Sequence, residues 1–281
     1  MSSYVRKVLV TGCSDGGMGA ALAKAFHKNG LEVYATARNP EKMSGLASLG
    51  IKTIAMDVQS ESSIAACVAQ IPALDILVNN AGIFEALPIT DTNIPKAKEL
   101  FDVNVWAYVA VIQAFLPLLL ESSNAMIVNQ TSTQAVTSIP FLGIYGASKA
   151  AIGMITQNLR LELQPFNIRV LEMRTGDVQT NLIPNALKDK RSLPDDSIYS
   201  FAKDIVARVS ENFSGEGPTA EEWADSMALQ LLKKNPSPIL WSGATSGLSW
   251  LWTWLPVWWP DSTVKKFSGL DMVEQRMRTK S

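Results

Sequence analysis

Histidine is almost absent from this 281-residue chain, and cysteine occurs only twice. With His27, Cys13 and Cys67 as the whole supply of imidazole and thiol ligands, and no clustered carboxylates to replace them, no catalytic metal is expected. Two cysteines make no disulfide framework, and the opening "MSSYVRKVLVTG" lacks the apolar run of a secretory leader, so a thiol-reduced, cytoplasmic protein is expected. Charge of either sign is not in excess. Lys+Arg number 25 against 26 for Asp+Glu, a net charge of -1, which leaves counterion release little to drive, so no nucleic-acid partner is expected.

What the chain does hold is apolar: 47% of its residues are hydrophobic, enough for one large core. Short runs rich in Val, Ile and Leu recur at 7–11, 31–36, 51–56, 74–78, 125–130 and 168–173, with helical patterns between them. Strands that need not alternate with polar residues are buried on both sides. The rhythm therefore predicts an α/β fold, a single Rossmann-type, doubly wound parallel sheet with helices on both faces. A first helix is expected from about Met18 to Asn29, stopped by Gly30, with His27 on its solvated side. Another should run from Gly146 to Gln164 and end at Pro165, and a third should open at Thr219 with Glu222 as its capping-box partner. Trp223, Met227 and Leu231 share one face of that last helix and read as packing.

Two regions break the rhythm. Residues 184–217 are polar and turn-rich. Residues 239–259 hold six of the eight tryptophans. The expected organisation is a catalytic, dinucleotide-binding domain from 1–183 and 218–238, a substrate-covering segment at 184–217, and a Trp-rich extension from 239–281 attached to a sheet already complete.

Between the first strand and the first helix stands "TGCSDGGMG", with glycines at 12, 16, 17 and 19. A strand, glycines and a helix N-terminus let a pyrophosphate sit against backbone N–H groups, where a Cβ would hold it off. The second strand ends "VYATARNP", with no acid to hold an adenosine 2′-hydroxyl and with Arg38 available for a 2′-phosphate, which favours NADP(H) over NAD. Taken singly, such a loop can serve only to turn the chain, and Arg38 can be a solvated strand end.

Further motifs follow in order: Asp57 after the third strand, "NNAG" at 79–82, Asn104 in "DVNVW", Ser132 in "NQTSTQAV", and "YGASK" at 145–149. With these the sequence resembles the short-chain dehydrogenase/reductase family from Val8 to about Leu182. Within it, "TGCSDGGMG", "IYGASKAAI", "LELQPFNIRV", "KRSLPDDSIY" and "WLPVWWPDSTVKKF" resemble the fungal NADPH-dependent 1-acyldihydroxyacetone-phosphate reductases. The resemblance implies Asn104, Ser132, Tyr145 and Lys149 as catalytic residues. Tyr145 would be the general acid and Ser132 would hold the carbonyl oxygen. Lys149, one helical turn from Tyr145, would favour its phenolate and bond the nicotinamide ribose, and Asn104 would hold a water relaying protons to Lys149. The resemblance also places Gly12, Ser14, Gly17, Met18 and Gly19 around the pyrophosphate and Arg38 at the 2′-phosphate. Asp57 and Val58 would meet adenine; Asn80, with Ala81 and Gly82, the adenosine ribose; and Gly176, Val178 and Thr180 the nicotinamide, beside Tyr145 and Lys149. The glycine loop is one residue longer than the family's commonest spacing, so Asp15 should point away from phosphate. Thr175 stands where the family usually has proline.

The implied activity is NADPH-dependent reduction of a ketone on a lipophilic substrate, either 1-acyldihydroxyacetone phosphate or a specialised-metabolite carbonyl. The alternatives are an NADP-dependent alcohol dehydrogenase and a non-redox relative that only binds NADP or holds an intermediate. Lys188, Lys190 and Arg191 could serve a phosphate-bearing substrate or form an ordinary solvated loop broken by Asp189. The tryptophans of 239–259 need an apolar partner: a membrane interface, where Lys265 and Lys266 could meet anionic lipid, a homo-oligomer contact, or the substrate pocket. The first of these would put the protein peripherally on endoplasmic reticulum or lipid droplets.

Overall fold

A computed structural model describes residues 4–182, 184, 193–212 and 217–280. In chain order its strands are β1 Lys7–Thr11, β2 Glu32–Ala37, β3 Lys52–Ala55, β4 Ile76–Asn79, β5 Met126–Gln130, β6 Arg169–Thr175 and β7 Ile239–Ser242. Its helices are α1 Met18–Lys28, α2 Ser44–Ala47, α3 Glu61–Val68, α4 Ile94–Phe101, α5 Ala107–Leu120, α6 Gly143–Glu162, α7 Lys203–Asn212, α8 Ala220–Leu231, α9 Ser246–Trp252, α10 Asp261–Ser268 and α11 Leu270–Lys280. The seven strands form one sheet, every pair parallel, in the order β3-β2-β1-β4-β5-β6-β7.

Alternate residues of the strands feed two cores. Val8, Val10, Ile76, Val78, Met126 and Val128 point to the face covered by α1 and α8, whereas Leu9, Leu77 and Ile127 point to the face covered by α3 and α5. The central strands β1, β4 and β5 thus bury both sides, which is why their sequences read as apolar runs. α1 stops where expected: Gly30, at φ +82°, takes the left-handed conformation after the last turn. α8 starts on a full capping box, Thr219 Oγ1 accepting from the Glu222 amide while Glu222 Oε2 accepts from the Thr219 amide at 2.9 Å. Trp223, Met227 and Leu231 form its buried stripe within the first core.

Two expectations need correction. The sheet does not end with the sixth apolar run, because Ile239–Ser242 pairs with β6 from Glu172 to Thr175, so the boundary expected at 239 falls at the start of a core strand. A four-residue strand carries too little periodicity to stand out from the tryptophans that follow it. The polar segment 184–217 contains a ten-residue helix, α7. Its Val206 and Val209 pack with Phe141 and Leu193, and its Ile205 with Val273 of α11. The expected basic cluster Lys188, Lys190 and Arg191 lies outside the described residues.

The helical stretch Ile94–Leu120 is long and apolar enough to cross a membrane by composition, yet Val111, Phe115 and Leu119 are packed on the sheet. Between α4 and α5 it widens into a π-turn at Asp102–Trp106.

Replacing fully buried Trp223 by alanine is expected to lower unfolding free energy by about 3–5 kcal/mol in a urea titration. Trp254→Ala, at a site 74% exposed, should stay within about 0.5 kcal/mol of the parent.

Candidate active site

The parallel strands bring the β1, β2, β3, β4, β5 and β6 ends to one edge of the sheet, where β2 and β4 flank β1 and the strand order reverses. A cleft of about 1150 Å³ lies along that edge. Gly12, Ser14, Gly17, Met18, Arg38, Asp57, Val58, Asn80, Ala81, Gly82, Tyr145, Lys149 and Thr180 all line it, so most of the residues expected at a cofactor come together. Three do not. Gly19 is buried, and Gly176 and Val178 line a second cavity of about 240 Å³.

The glycines are required by the loop's own packing as much as by any ligand. Gly12 has φ +73°, and a Cβ on it would come within 2.7 Å of Ala81 Cα; one on Gly19 would come within 2.5 Å of Asn80 Nδ2 and 2.6 Å of the Gly12 carbonyl. Asn80, expected at a ribose, instead ties the two loops together. Its Nδ2 donates to the Thr11 and Gly12 carbonyls at 2.9 and 3.2 Å, while Thr11 Oγ1 accepts from the amides of Asn80 and Ala81. Gly176 is likewise fixed by protein, since its Cβ position is filled by the Ala244 carbonyl opposite the Asp177–Ala244 bridge.

The loop nevertheless fits a phosphate. Gly17, which lines the cleft, is the N-cap of α1 without any side-chain cap, and the first turn holds no acid, so the amides and positive end of the helix dipole are left for an anion. Asp15 also lines the cleft, and its Oδ2 accepts from the Gly45 amide at 3.2 Å in α2. Near exposed Arg38 another cation lines the cleft, Lys42, which sequence reasoning missed because it sits in a short 3-10 turn after the strand. Asp57 caps its own turn, Oδ1 accepting from the Gln59 amide at 3.1 Å.

Tyr145 and Lys149 lie one turn apart on the buried side of α6. Lys149 Nζ donates to the Gln130 carbonyl at 3.1 Å and sits 5.9 Å from the Tyr145 ring centre and 5.6 Å from that of Tyr108. Phe84 meets the Tyr145 ring edge-on at 5.0 Å. Burial governs the titration of both groups. It pushes Tyr145 up to about 12, partly opposed by a hydrogen bond with Ser132, and pulls Lys149 down to about 8. The expectation that Lys149 draws Tyr145 toward its phenolate is therefore not met in this arrangement, because the amine is engaged by a carbonyl and faces the ring.

Asn104 is held by the π-turn with both of its amide protons committed. Oδ1 accepts from the Ile83 amide at 2.9 Å, and Nδ2 donates to the Ile83 carbonyl and to Ser148 Oγ at 2.9 and 3.1 Å. These bonds clamp the cleft wall to α6 and leave the expected water only the second lone pair of Oδ1 on this side chain. Ser132 follows β5 by two residues and caps the next turn, its Oγ accepting from the Gln134 amide at 3.2 Å.

Two buried polar chains that the motifs gave no sign of fix these elements. Asn79 Nδ2 donates to Asn129 Oδ1, and Asn129 Nδ2 to Thr156 Oγ1, both at 3.0 Å, linking β4, β5 and α6. Fully buried Glu172 accepts from Thr131 Oγ1 at 2.9 Å, Gln157 Nε2 at 2.8 Å and Arg174 Nε at 2.7 Å, fixing the residue just before Ser132.

Ser132 and Tyr145 open onto the second cavity, whose far wall is the Trp-rich segment: Leu248, Trp252, Val264 and Phe267. Among its described lining residues there is no lysine or arginine. Trp250, Trp254, Trp258 and Trp259 are exposed on the outside.

Comparisons with known proteins agree with this geometry. The model of the short chain dehydrogenase family matches residues 6–191. A short-chain dehydrogenase/reductase of Pestalotiopsis microspora is 45% identical over 281 residues, covering 99% of both chains. An NADPH-dependent 1-acyldihydroxyacetone phosphate reductase of Schizosaccharomyces pombe is 33% identical over 267 residues, covering 89% of this chain and 90% of the relative. A solved short-chain dehydrogenase from Streptomyces avermitilis superposes with a TM-score of 0.78 over 98% of each chain at 24% identity, a likeness of fold.

Lys149 has a stability consequence with a definite sign. Its folded value near 8 lies below the ordinary 10.5, so below pH 8 the fold carries the full cost of a buried ammonium, about 3 kcal/mol, and stability rises as pH goes from 8 to 10.5. Lys149→Met should therefore unfold at higher urea than the parent at pH 7, with the gap closing by pH 10.5.

Proposed function

The chain belongs to the short chain dehydrogenase family, and on that premise we propose that it reduces a ketone on an apolar, uncharged substrate with NADPH as the hydride source. The observation that carries this reading is the position of Tyr145 in the wall shared by the long cleft and the second cavity, with Lys149 on the cleft side and Ser132 on the cavity side. The residues lining the cleft would hold a nicotinamide dinucleotide, whose contribution would be a hydride for the carbonyl carbon. The uncapped N-terminus of α1 and Ser14 would hold its pyrophosphate, and Arg38 with Lys42 its 2′-phosphate; the NADPH dependence of the Schizosaccharomyces relative supports the same choice.

Ser132 orients the substrate carbonyl by donating to its oxygen. Tyr145, protonated throughout the neutral range, is a proton donor for the alkoxide that develops there. The proton that Tyr145 gives up is returned from solvent by way of Lys149. A lysine that titrates near 8 makes this step sensitive to mild alkali. The apolar wall of Phe84, Leu142, Val178, Leu248, Trp252 and Phe267, with no cation among the described lining residues, supports a carbonyl compound without phosphate.

NADPH and NADH consumption by the parent and Tyr145→Phe, with phosphate-free apolar ketones and dispersed 1-acyldihydroxyacetone phosphate, tests the proposal. Expected are NADPH-dependent turnover of the phosphate-free ketones, a fall of about 10²–10⁴-fold in Tyr145→Phe, and a decline of kcat/KM as pH rises through about 8. Preference for the phosphate ester would move the role to glycerolipid chemistry, and no consumption with any ketone would leave a non-redox binding protein.

The exposed tryptophans beside the cavity support a peripheral seat on a lipid surface, from which an apolar substrate enters. The protein is expected to float with phosphatidylcholine–phosphatidylserine vesicles and to lose this when Trp254 and Trp258 are both alanine. A parent that stays with the soluble fraction and elutes as a dimer would assign the face to a second copy.

A further inference from the structure

Among the described residues, six buried side-chain nitrogen or oxygen atoms have no hydrogen-bond partner, and four of them belong to side chains lining the 240 Å³ cavity. They are Gln130 Oε1, Gln134 Oε1, Thr137 Oγ1 and Thr175 Oγ1; the other two, on Arg6 and Trp223, lie away from it. Folded proteins pair nearly all of their buried polar atoms, so a concentration of unpaired ones around a single cavity needs a reason. Gln130 belongs to the Lys149 environment already described. The remaining three oxygens belong to none of the reacting side chains, although the Gln134 backbone amide bonds Ser132 Oγ.

Gln134 and Thr137 follow Ser132 on the same segment, and Thr175 ends the neighbouring strand β6, so the three border the cavity beyond the carbonyl position. Thr137 and Thr175 are 7% and 4% exposed. Their oxygens are closed to solvent by the wall itself, so bulk water does not satisfy them. One χ1 rotation exchanges a threonine hydroxyl with its methyl, and rotation of the terminal amide does the same for the oxygen and nitrogen of Gln134.

Resting on the reductase reading, we propose that Gln134, Thr137 and Thr175 form a polar subsite for a second oxygen of the substrate, a hydroxyl remote from the reacting carbonyl. A hydroxyl is the group that fits, since it can donate to the glutamine oxygen and accept from a threonine in one position. A carbonyl or ether oxygen can only accept, and a carboxylate or phosphate would bring charge into a wall with no cation among its described residues. The substrate class is therefore a hydroxylated ketone, apolar along most of its length. A site that hydrogen-bonds such a hydroxyl discriminates strongly against the analogue without it, because the site's own polar groups are then left unpaired.

The test uses 1-tetralone and the set of its monohydroxylated ring isomers as probes, with binding followed by isothermal calorimetry and turnover by NADPH consumption. The parent is expected to bind at least one hydroxylated isomer about 10-fold or more tighter than 1-tetralone. That ratio should fall to within about threefold in Thr137→Val and in Gln134→Leu and persist in Thr137→Ser, which keeps the hydroxyl and controls for folding. Equal affinity of the parent for all probes, no binding of any of them, or an undiminished ratio in the valine and leucine variants would overturn the subsite. The two proposals fail separately: tight, hydroxyl-selective binding without turnover sinks the reductase reading alone, whereas turnover of every ketone with no selectivity sinks the subsite alone.

Discussion

The arrangement around Lys149 depends on keeping an amine out of water. An ammonium enclosed by protein loses its hydration, and here a single carbonyl and two aromatic faces replace it: the Gln130 oxygen, Tyr108 and Tyr145. The compensation is incomplete, which is why the group titrates near 8 instead of its ordinary 10.5. The fold thus holds a lysine at the point where it can carry or release a proton under mild conditions, and the cost must be met by the surrounding framework.

That framework is polar and buried. α6 carries Tyr145 and Lys149, and three contacts locate it: Thr156 at the end of the asparagine chain from β4 and β5, Gln157 on Glu172, and Ser148 against Asn104. Each is directional, so a sliding of the helix along the sheet breaks hydrogen bonds that apolar packing alone would permit to shift. Glu172 works on the other reactant as well. By holding Thr131 it fixes the chain immediately before Ser132, so one carboxylate couples the serine position to the helix that bears the tyrosine.

The six major strands, the helices at 18–28 and 143–162 and the phosphate-type loop were legible because they follow period, caps and glycine placement. Tyr145, Lys149 and Ser132 were legible as a spaced pattern. What escaped was pairing across the fold. Asn80 reads as a ligand residue until its amide is seen spent on Thr11 and Gly12. Asn79, Asn129, Thr156 and Glu172 have no local spacing at all, because their partners lie on other elements. Protonation was illegible for the same reason: a Tyr-x-x-x-Lys spacing places two groups on one helix face but says nothing of how far each is buried or where its proton points.

The C-terminal segment resolves an opposition that its composition poses. Six tryptophans in a short stretch can be core, pocket or surface, and the structure divides them. Trp241 lies in β7 with Arg174 5.1 Å over its ring, Trp252 turns inward to the cavity, and Trp250, Trp254, Trp258 and Trp259 turn out. Because Arg174 also binds Glu172, the strand that starts this segment is tied to the same carboxylate that fixes Thr131 and α6. The wall closing the 240 Å³ cavity and the framework positioning Ser132, Tyr145 and Lys149 are therefore mechanically continuous. A change in how the outer tryptophans are covered acts on a segment anchored at its base to that framework, with the cavity between them.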